Sequence, residues 1–342
     1  MRWFWLTYLF LSFAGFSQTQ SAFNGEKLKA KPKNYSFIVG GHFYGDGNNQ
    51  SHLPANTLLA NLDWVNDSGA DMLICTGDLF REIRKEIPNY QKSLFDKLEI
   101  PLFNAVGNHD LSGDVYQSNF GLTSFSFQIG KDLHIILDTE QDNGDIEGEQ
   151  LEMIKEAKAL SDQNKLNNLF IYSHRTVWKR HYTELDELFK NNTSSLTEPN
   201  FSDEVYPIIE KISQKNKVYW FSGSMGGGPS SFFYHRDQNI SYILTGIRAV
   251  PRDALLLVNV QNGIVSFETK SLTDQKVEPL EYYDKEYWSE DHEETEFNLG
   301  LLWYQFKLML THRYFWYGIS FALSAYLVLW LFRSRKKRKA GH

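Results

Sequence analysis

The stretch Leu102-Phe103-Asn104-Ala105-Val106-Gly107-Asn108-His109-Asp110 passes from a short, mostly apolar run into a glycine, an amide, an imidazole and a carboxylate. The run from Leu102 to Val106 reads as a buried strand, and the four residues after it as the loop at its carboxyl end. In open α/β sheets that is where loops converge on a ligand. Four other candidate strands end in the same manner. Tyr35 to Val39 runs into Gly40-Gly41-His42, and Met72 to Thr76 into Gly77-Asp78. Asn168 to Tyr172 runs into Ser173-His174, and Val218 to Phe221 into Ser222-Gly223-Ser224-Met225-Gly226. A lone Gly-Asp is ordinarily a turn, and a lone histidine ordinarily a surface or core residue. Five such endings in order are another matter, because a carboxylate, an amide oxygen and imidazoles at one edge can bind a divalent metal.

Between these strands lie helical patterns. Asn56 to Val65 carries apolar Leu58, Leu59, Leu62 and Val65 at helical spacing. Helices are also expected over Glu86 to Leu98, Gly148 to Leu160 and Ser202 to Ser213, the last with Ser202 or Asp203 as its cap. Phe125 to Ile129 and Leu133 to Leu137 flank Gly130-Lys131-Asp132 as a hairpin. The β runs at Ser231 to Tyr234, Tyr242 to Leu244, Ala254 to Val260 and Val265 to Thr269 read as a meander. The alternation predicts an α/β class, with two sheets packed together as a sandwich flanked by helices.

Composition agrees with a globular body. Of 342 residues, 42% are hydrophobic and 23% charged, which excludes wholesale disorder. Lys plus Arg is 35 against 42 for Asp plus Glu, a net charge of −7. No nucleic-acid partner is expected from that balance. The single cysteine, Cys75, excludes an internal disulfide framework and any multi-cysteine zinc site, and its place inside a strand reads as inert core.

The two ends read as membrane signals. Met1-Arg2 followed by the apolar-rich run Trp3 to Phe16 predicts a signal peptide over 1–17, with a signal anchor or a buried N-terminal helix as alternatives. Tyr314 to Phe332 lacks charge and, at about 1.5 Å per residue, spans about 28 Å, close to the ~30 Å hydrocarbon core. Arg333, Arg335, Lys336, Lys337, Arg338 and Lys339 follow it, while Glu281 to Glu296 carries eight acidic residues and one lysine. Basic flanks stay cytoplasmic. The expected order is therefore a folded domain over 34–272, an acidic linker over 273–298 and an interfacial helix over 299–312. A single transmembrane helix over 313–332 and a basic cytoplasmic tail over 333–342 complete it. The body would face away from the cytoplasm, with the lipid bilayer as a partner.

The five strand endings resemble the ordered blocks of the calcineurin-like metallophosphoesterase family, over roughly Asn34 to Leu272. Gly107-Asn108-His109-Asp110 is the most specific match, supported by Gly77-Asp78, by Leu137-Asp138-Thr139 and by Glu149-Gln150-Leu151. The resemblance implies a two-sheet sandwich and two metals ~3.5–4 Å apart that drive in-line displacement at phosphorus. It implies Asp78 as the bridging ligand, Asn108 and His174 on the second metal, and His42 on the first. His109 would stabilise charge or protonate the leaving oxygen, and Asp110 would orient it.

The chain departs from the family's blocks in two places. Gly40 stands where the family has its first aspartate, and Gly223-Ser224-Met225-Gly226 stands where it has Gly-His-x-His. The first metal keeps His42 and Asp78, and the second keeps Asp78, Asn108 and His174. Three protein ligands plus water commonly hold a catalytic metal and two rarely do, so the aligned residues support at most a single divalent ion at the second position, and one ion or a rearranged pair is expected. Manganese, iron and zinc are not distinguished by these donors. Restoring Gly40→Asp with Ser224→His and Gly226→His is expected to strengthen metal binding. Asp46, His235 and Asp253 read as solvated loop residues rather than substitute ligands. The Gly226-Gly227-Gly228-Pro229 stretch reads as a tight turn, with an anion-binding nest as the alternative. The function expected is a membrane-anchored hydrolase of phosphoesters. The alternatives are a pseudoenzyme that serves as a scaffold for an envelope protein partner, and a metal-dependent hydrolase of another ester.

Overall fold

A computed structural model describes residues 19–189, 199–224, 231–248, 252–290, 306, 309–310 and 313–339. The first sheet starts with three parallel strands, β1 (Asn34–Gly40), β2 (Met72–Cys75) and β3 (Leu102–Asn104). Alternation decides the faces of β1: Phe37 and Val39 point between the sheets, while Ile38 points outward to Leu58 and Leu73. Helices Asn56–Ala60, Leu62–Asp67, Ile83–Ser93 and Val115–Phe120 cover that outer face. The expected single helix over 56–65 is two, broken at Asn61, whose amide bonds the Thr57 and Leu272 carbonyls at 2.9 and 3.0 Å.

The second sheet contains β4 (Phe125–Ile129), β5 (Asp132–Ile136), β6 (Asn168–Ser173), β7 (Lys217–Ser222), β8 (Phe232–Asp237) and β9 (Ile240–Thr245). Their order is β4-β5-β6-β7-β9-β8, with β5, β6, β7 and β9 parallel and an antiparallel strand at each edge. Helices Gly148–Asp162 and Tyr206–Ser213 cover its outer face. The latter continues from a π turn over Phe201–Val205, and no side-chain cap forms there. The chain then returns to the first sheet as β10 (Ala254–Gln261) and β11 (Ile264–Ser271), giving the order β11-β10-β1-β2-β3.

The late strands are therefore not one meander but two hairpins in different sheets. The reason lies in β10. Leu255 and Leu257 face the helices while Leu256 and Val258 face the other sheet, so this strand needs burial on both sides. A central place beside β1 supplies it. Between the sheets, Tyr35 Oη donates to Asp132 at 3.1 Å, and the His134 ring sits between Phe127 and Phe170 with the Tyr35 and Tyr172 hydroxyls at 3.1 and 3.0 Å.

The packed body extends beyond 34–272. Phe23, 6% exposed, stacks on Phe120 with centroids 4.5 Å apart and lies 5.2 Å from Phe95. Ser21 Oγ donates to the Leu102 carbonyl at 2.8 Å. After β11, the stretch expected to be a linker docks through buried Leu280 and Tyr283, and Trp288 Nε1 donates to the Phe232 carbonyl at 3.0 Å.

A helix does cover Arg313–Lys339. Among the described residues, no helix is long and apolar enough to cross a membrane. Its run is diluted by Tyr314, Trp316, Tyr317, Ser320, Ser324, Tyr326 and Trp330, and Tyr and Trp side chains favour the interface over the hydrocarbon. The residues expected to form a signal peptide, and most of the expected interfacial helix, lie outside the described residues.

Candidate metal centre

Parallel neighbours in each sheet deliver their last residues to one edge. His42 follows β1, Asp78 follows β2, Asn108 to Asp110 follow β3 and His174 follows β6. His42, Asp78 and His174 are all buried and place one ligand atom each within 4.8 Å of the others. Among the described residues they are the one such group of His, Cys, Asp or Glu. Residues taken from both of the expected metal positions thus converge on a single point.

The backbone is bent to bring them there. His42 and Asp78 have φ of 53° and 55°, a left-handed conformation that costs a residue with a Cβ about 1 kcal/mol or more. Gly77, before Asp78, has φ of 91°, and a Cβ there would run into the His174 ring and the Ala105 carbonyl. Only glycine lets the ring and the turn approach so closely.

Hydrogen bonds fix which nitrogen of each ring carries the proton. His42 Nε2 lies 2.9 Å from the Gly223 carbonyl, and His174 Nδ1 lies 3.0 Å from the Thr76 carbonyl. A carbonyl only accepts, so both of those nitrogens are N–H donors. The other nitrogens then carry lone pairs. His42 Nδ1 is 3.3 Å from Asp78 Oδ2, and His174 Nε2 is 3.5 Å from Asp78 Oδ1. His42 Nδ1 is buried and makes no hydrogen bond. Burial holds the His42 ring neutral, with its pKa pushed down to about 3 against the pull of the Asp78 charge. Burial alone would raise the Asp78 carboxyl. Positive charge on the His174, His42 and His109 rings, when they take up a proton, and the His109 N–H pull it below the usual carboxylate range. With the rings neutral, two lone pairs face the carboxylate, an arrangement that is repulsive unless a cation lies between them. The donor set therefore fits a divalent metal, with each imidazole oriented by a main-chain carbonyl as metal-bound histidines are.

The residues after β3 divide their tasks differently from expectation. Asn108 is exposed at the mouth of the cluster. The main-chain N–H of His109 donates to Asp78 Oδ1 at 3.2 Å, and its ring Nδ1 lies 3.0 Å from the Arg81 carbonyl. Asp110 was expected to orient that ring, but its oxygens accept from Phe80 N at 2.8 Å, Gly107 N at 2.9 Å and Asn104 Nδ2 at 3.1 Å. It braces the turn that carries Asn108 and His109. Burial and the Asp78 charge raise its pKa to about 6.

At the first position the space is closed. A Cβ on Gly40 would lie 2.5 Å from Leu255 Cδ2 and 3.0 Å from the Phe43 ring. Apolar side chains occupy the direction in which a carboxylate would project. Ser224 is buried, and its N–H and that of Gly223 both donate to the His174 carbonyl, at 2.7 and 3.1 Å. Gly226 and the rest of its glycine stretch lie outside the described residues. Asp46 is exposed and turns back on Asn48, and His235 packs on Tyr182. Asp253 is buried rather than solvated and accepts from Thr57 Oγ1 at 2.7 Å, away from the cluster. Cys75 is fully buried, and burial raises its thiol pKa.

Two residues at the site were not singled out from sequence. Tyr44 stands edge-on to His42, with its centroid 5.6 Å away, and lies 5.3 Å from His109. Arg248, just past β9, is near enough for its charge to be felt at both His42 and Tyr44. The only signal for Tyr44 is its place two residues after His42. For Arg248 it is a lone cation after an apolar strand.

Two mixed sheets flanked by helices, with a His-Asp-His cluster at the strand ends, define a metallophosphoesterase-like α/β protein. A family model described as calcineurin-like phosphoesterase matches residues 49–246, more than half of the chain, and the chain belongs to that family. Among solved structures, it is similar to a dimetal phosphatase from Danio rerio, at 11% identity and a TM-score of 0.50, over 70% of this chain and 97% of that one. GAP50, the anchor in the inner membrane complex of Plasmodium, aligns at 10% identity and a TM-score of 0.49, over 72% of this chain and 89% of that one. A cold-active protein-tyrosine phosphatase of a psychrophilic Shewanella aligns at 14% identity and a TM-score of 0.30, over 71% and 85%. The first of these supports the fold alone, and the other two are too loose to argue from. No curated protein matches the sequence.

Proposed function

We propose that the chain hydrolyses phosphoesters with one divalent metal held by His42 Nδ1, Asp78 and His174 Nε2. The observation that carries this reading is the pair of imidazole lone pairs facing one buried carboxylate. When bound, the metal would supply Lewis-acid polarisation of the phosphoryl group and an acidified water. The chain's own residues do the rest. Asn108 offers its amide oxygen as a further ligand at the open side. The Arg81 carbonyl accepts from His109 Nδ1, so the proton the ring would give to the departing ester oxygen is a second one, carried on Nε2 of the imidazolium. Water adds to phosphorus, the ester P–O bond breaks, the leaving oxygen takes the Nε2 proton, and the proton lost by the water returns to the ring.

Metal content of the purified chain and turnover of an aryl phosphate test the reading together. Asp78→Asn keeps a residue type that tolerates the left-handed backbone. It should lower metal occupancy by more than about tenfold and abolish turnover. Stoichiometric metal and unchanged turnover in that variant would refute the assignment.

The filled space at Gly40 favours a second reading, in which the fold serves as a scaffold without chemistry. A well-folded, metal-free chain with no turnover would select it.

We also propose that the helix Arg313–Lys339 holds the body at a membrane. Its side chains from Tyr314 to Trp330 are largely exposed and apolar or aromatic, and six basic residues follow. The full chain should float with anionic vesicles, and a chain ending at Ser289 should not. The extracytoplasmic side for the body is supported by the basic tail and by the apolar run after Met1-Arg2. Protease protection in intact cells tests it.

A further inference from the structure

The centre as described is short of positive charge for one class of substrate. A divalent ion brings two positive charges and Asp78 removes one. A phosphodiester, with a single negative charge, is matched by what remains. A phosphomonoester carries close to two above its second pKa of ~6 and needs another cation beside the metal.

Arg248 stands in the right place. β9 ends at Thr245, and the chain runs on past the strand ends, where Ile247 N donates to the Gly41 carbonyl at 2.9 Å. The Thr245 carbonyl would lie 2.8 Å from a Cβ on Gly41, so this segment is laid directly against the residue before His42. Arg248 is the next residue, half-buried, and its charge reaches both His42 and Tyr44. We propose that Arg248 is a specificity-determining residue that binds the second charge of a phosphomonoester, making monoesters the preferred substrates over diesters. The inference rests on the hydrolase reading above. A planar guanidinium suits the task because it presents paired donors to phosphate oxygens.

The test uses the metal-loaded full chain, an aryl monoester and an aryl diester with the same leaving group, and inorganic phosphate as a ligand. The wild type should prefer the monoester by about tenfold or more in kcat/KM. Arg248→Gln should weaken phosphate binding about tenfold, cut monoester kcat/KM by a similar factor and leave the diester within threefold, with metal content unchanged. Arg248→Lys should restore part of the binding. Arg248→Met, of similar length and uncharged, serves if the Gln variant does not fold. An unchanged monoester-to-diester ratio and unchanged phosphate affinity in a folded, metal-loaded variant would overturn the inference while the hydrolase reading stands. A wild type that holds no metal and turns over neither ester would overturn both.

Discussion

Introducing Gly40→Asp asks whether the first metal position is merely missing a ligand or has been closed. The new Cβ would start 2.5 Å from Leu255 Cδ2 and 3.0 Å from Phe43, where ordinary contacts need about 3.5–4 Å. Forcing that much volume into a packed core costs about 1–3 kcal/mol. The carboxylate beyond it would meet apolar carbon, and burying it without partners adds at least a further ~2 kcal/mol. Together, a loss of ~4 kcal/mol is a large part of the ~5–15 kcal/mol that holds a domain together. With a urea slope of about 2 kcal/mol per molar, the unfolding midpoint should fall by ~2 M. Trimming the obstruction, Gly40→Asp combined with Leu255→Ala should lose less stability than the two single losses added together, because the changes share one space. Urea titration followed by tryptophan fluorescence, with metal content measured in parallel, reads both quantities. If Gly40→Asp alone unfolds at the wild-type midpoint and gains a second metal, the filled-pocket argument is wrong. The restoration expected from sequence would then hold after all.

Two further outcomes follow from the body of the fold. His134 is buried with its pKa pushed down to about 3 by burial, against about 6.5 in the unfolded chain. The unfolded state therefore takes up a proton first, so stability should fall as pH drops through 6.5, by ~2 kcal/mol at pH 5. In His134→Gln the difference between urea midpoints at pH 7.5 and pH 5 should shrink by that amount, and an unchanged difference counts against this source. Phe23→Ala should cost about 3–5 kcal/mol by emptying the aromatic nest formed with Phe95 and Phe120. A loss under 1 kcal/mol in thermal or urea unfolding would show that the N-terminal segment lies on the body without holding it.

The sequence carried the site better than it carried the sheet layout. Gly77-Asp78 and Gly107-Asn108-His109-Asp110 were legible because a turn that must expose a ligand leaves a local signature of glycine beside a polar residue. His42 and His174 were legible from their position after apolar runs. What was not legible depends on residues far apart in the chain. Hairpin spacing does not say which sheet a hairpin joins, so β8–β9 and β10–β11 read as one unit. Nothing near Gly40 announces that Leu255, over two hundred residues later, occupies the space beside it. Asp110 misled for a related reason. Its proximity to His109 in sequence suggested a partnership, but the tight turn points its carboxylate back at Phe80, Gly107 and Asn104.

Both site imidazoles take their polarity from peptide groups and not from side chains. Every residue type carries a carbonyl, so replacing Thr76 by serine or valine should leave the proton of His174 where it is. Gly223 has no such latitude, since any larger residue would strike the Thr76 peptide. The chemistry of this centre is thus insulated from most drift in its surroundings, yet hostage to glycines, Gly77 and Gly223 among them, that leave no room for a side chain.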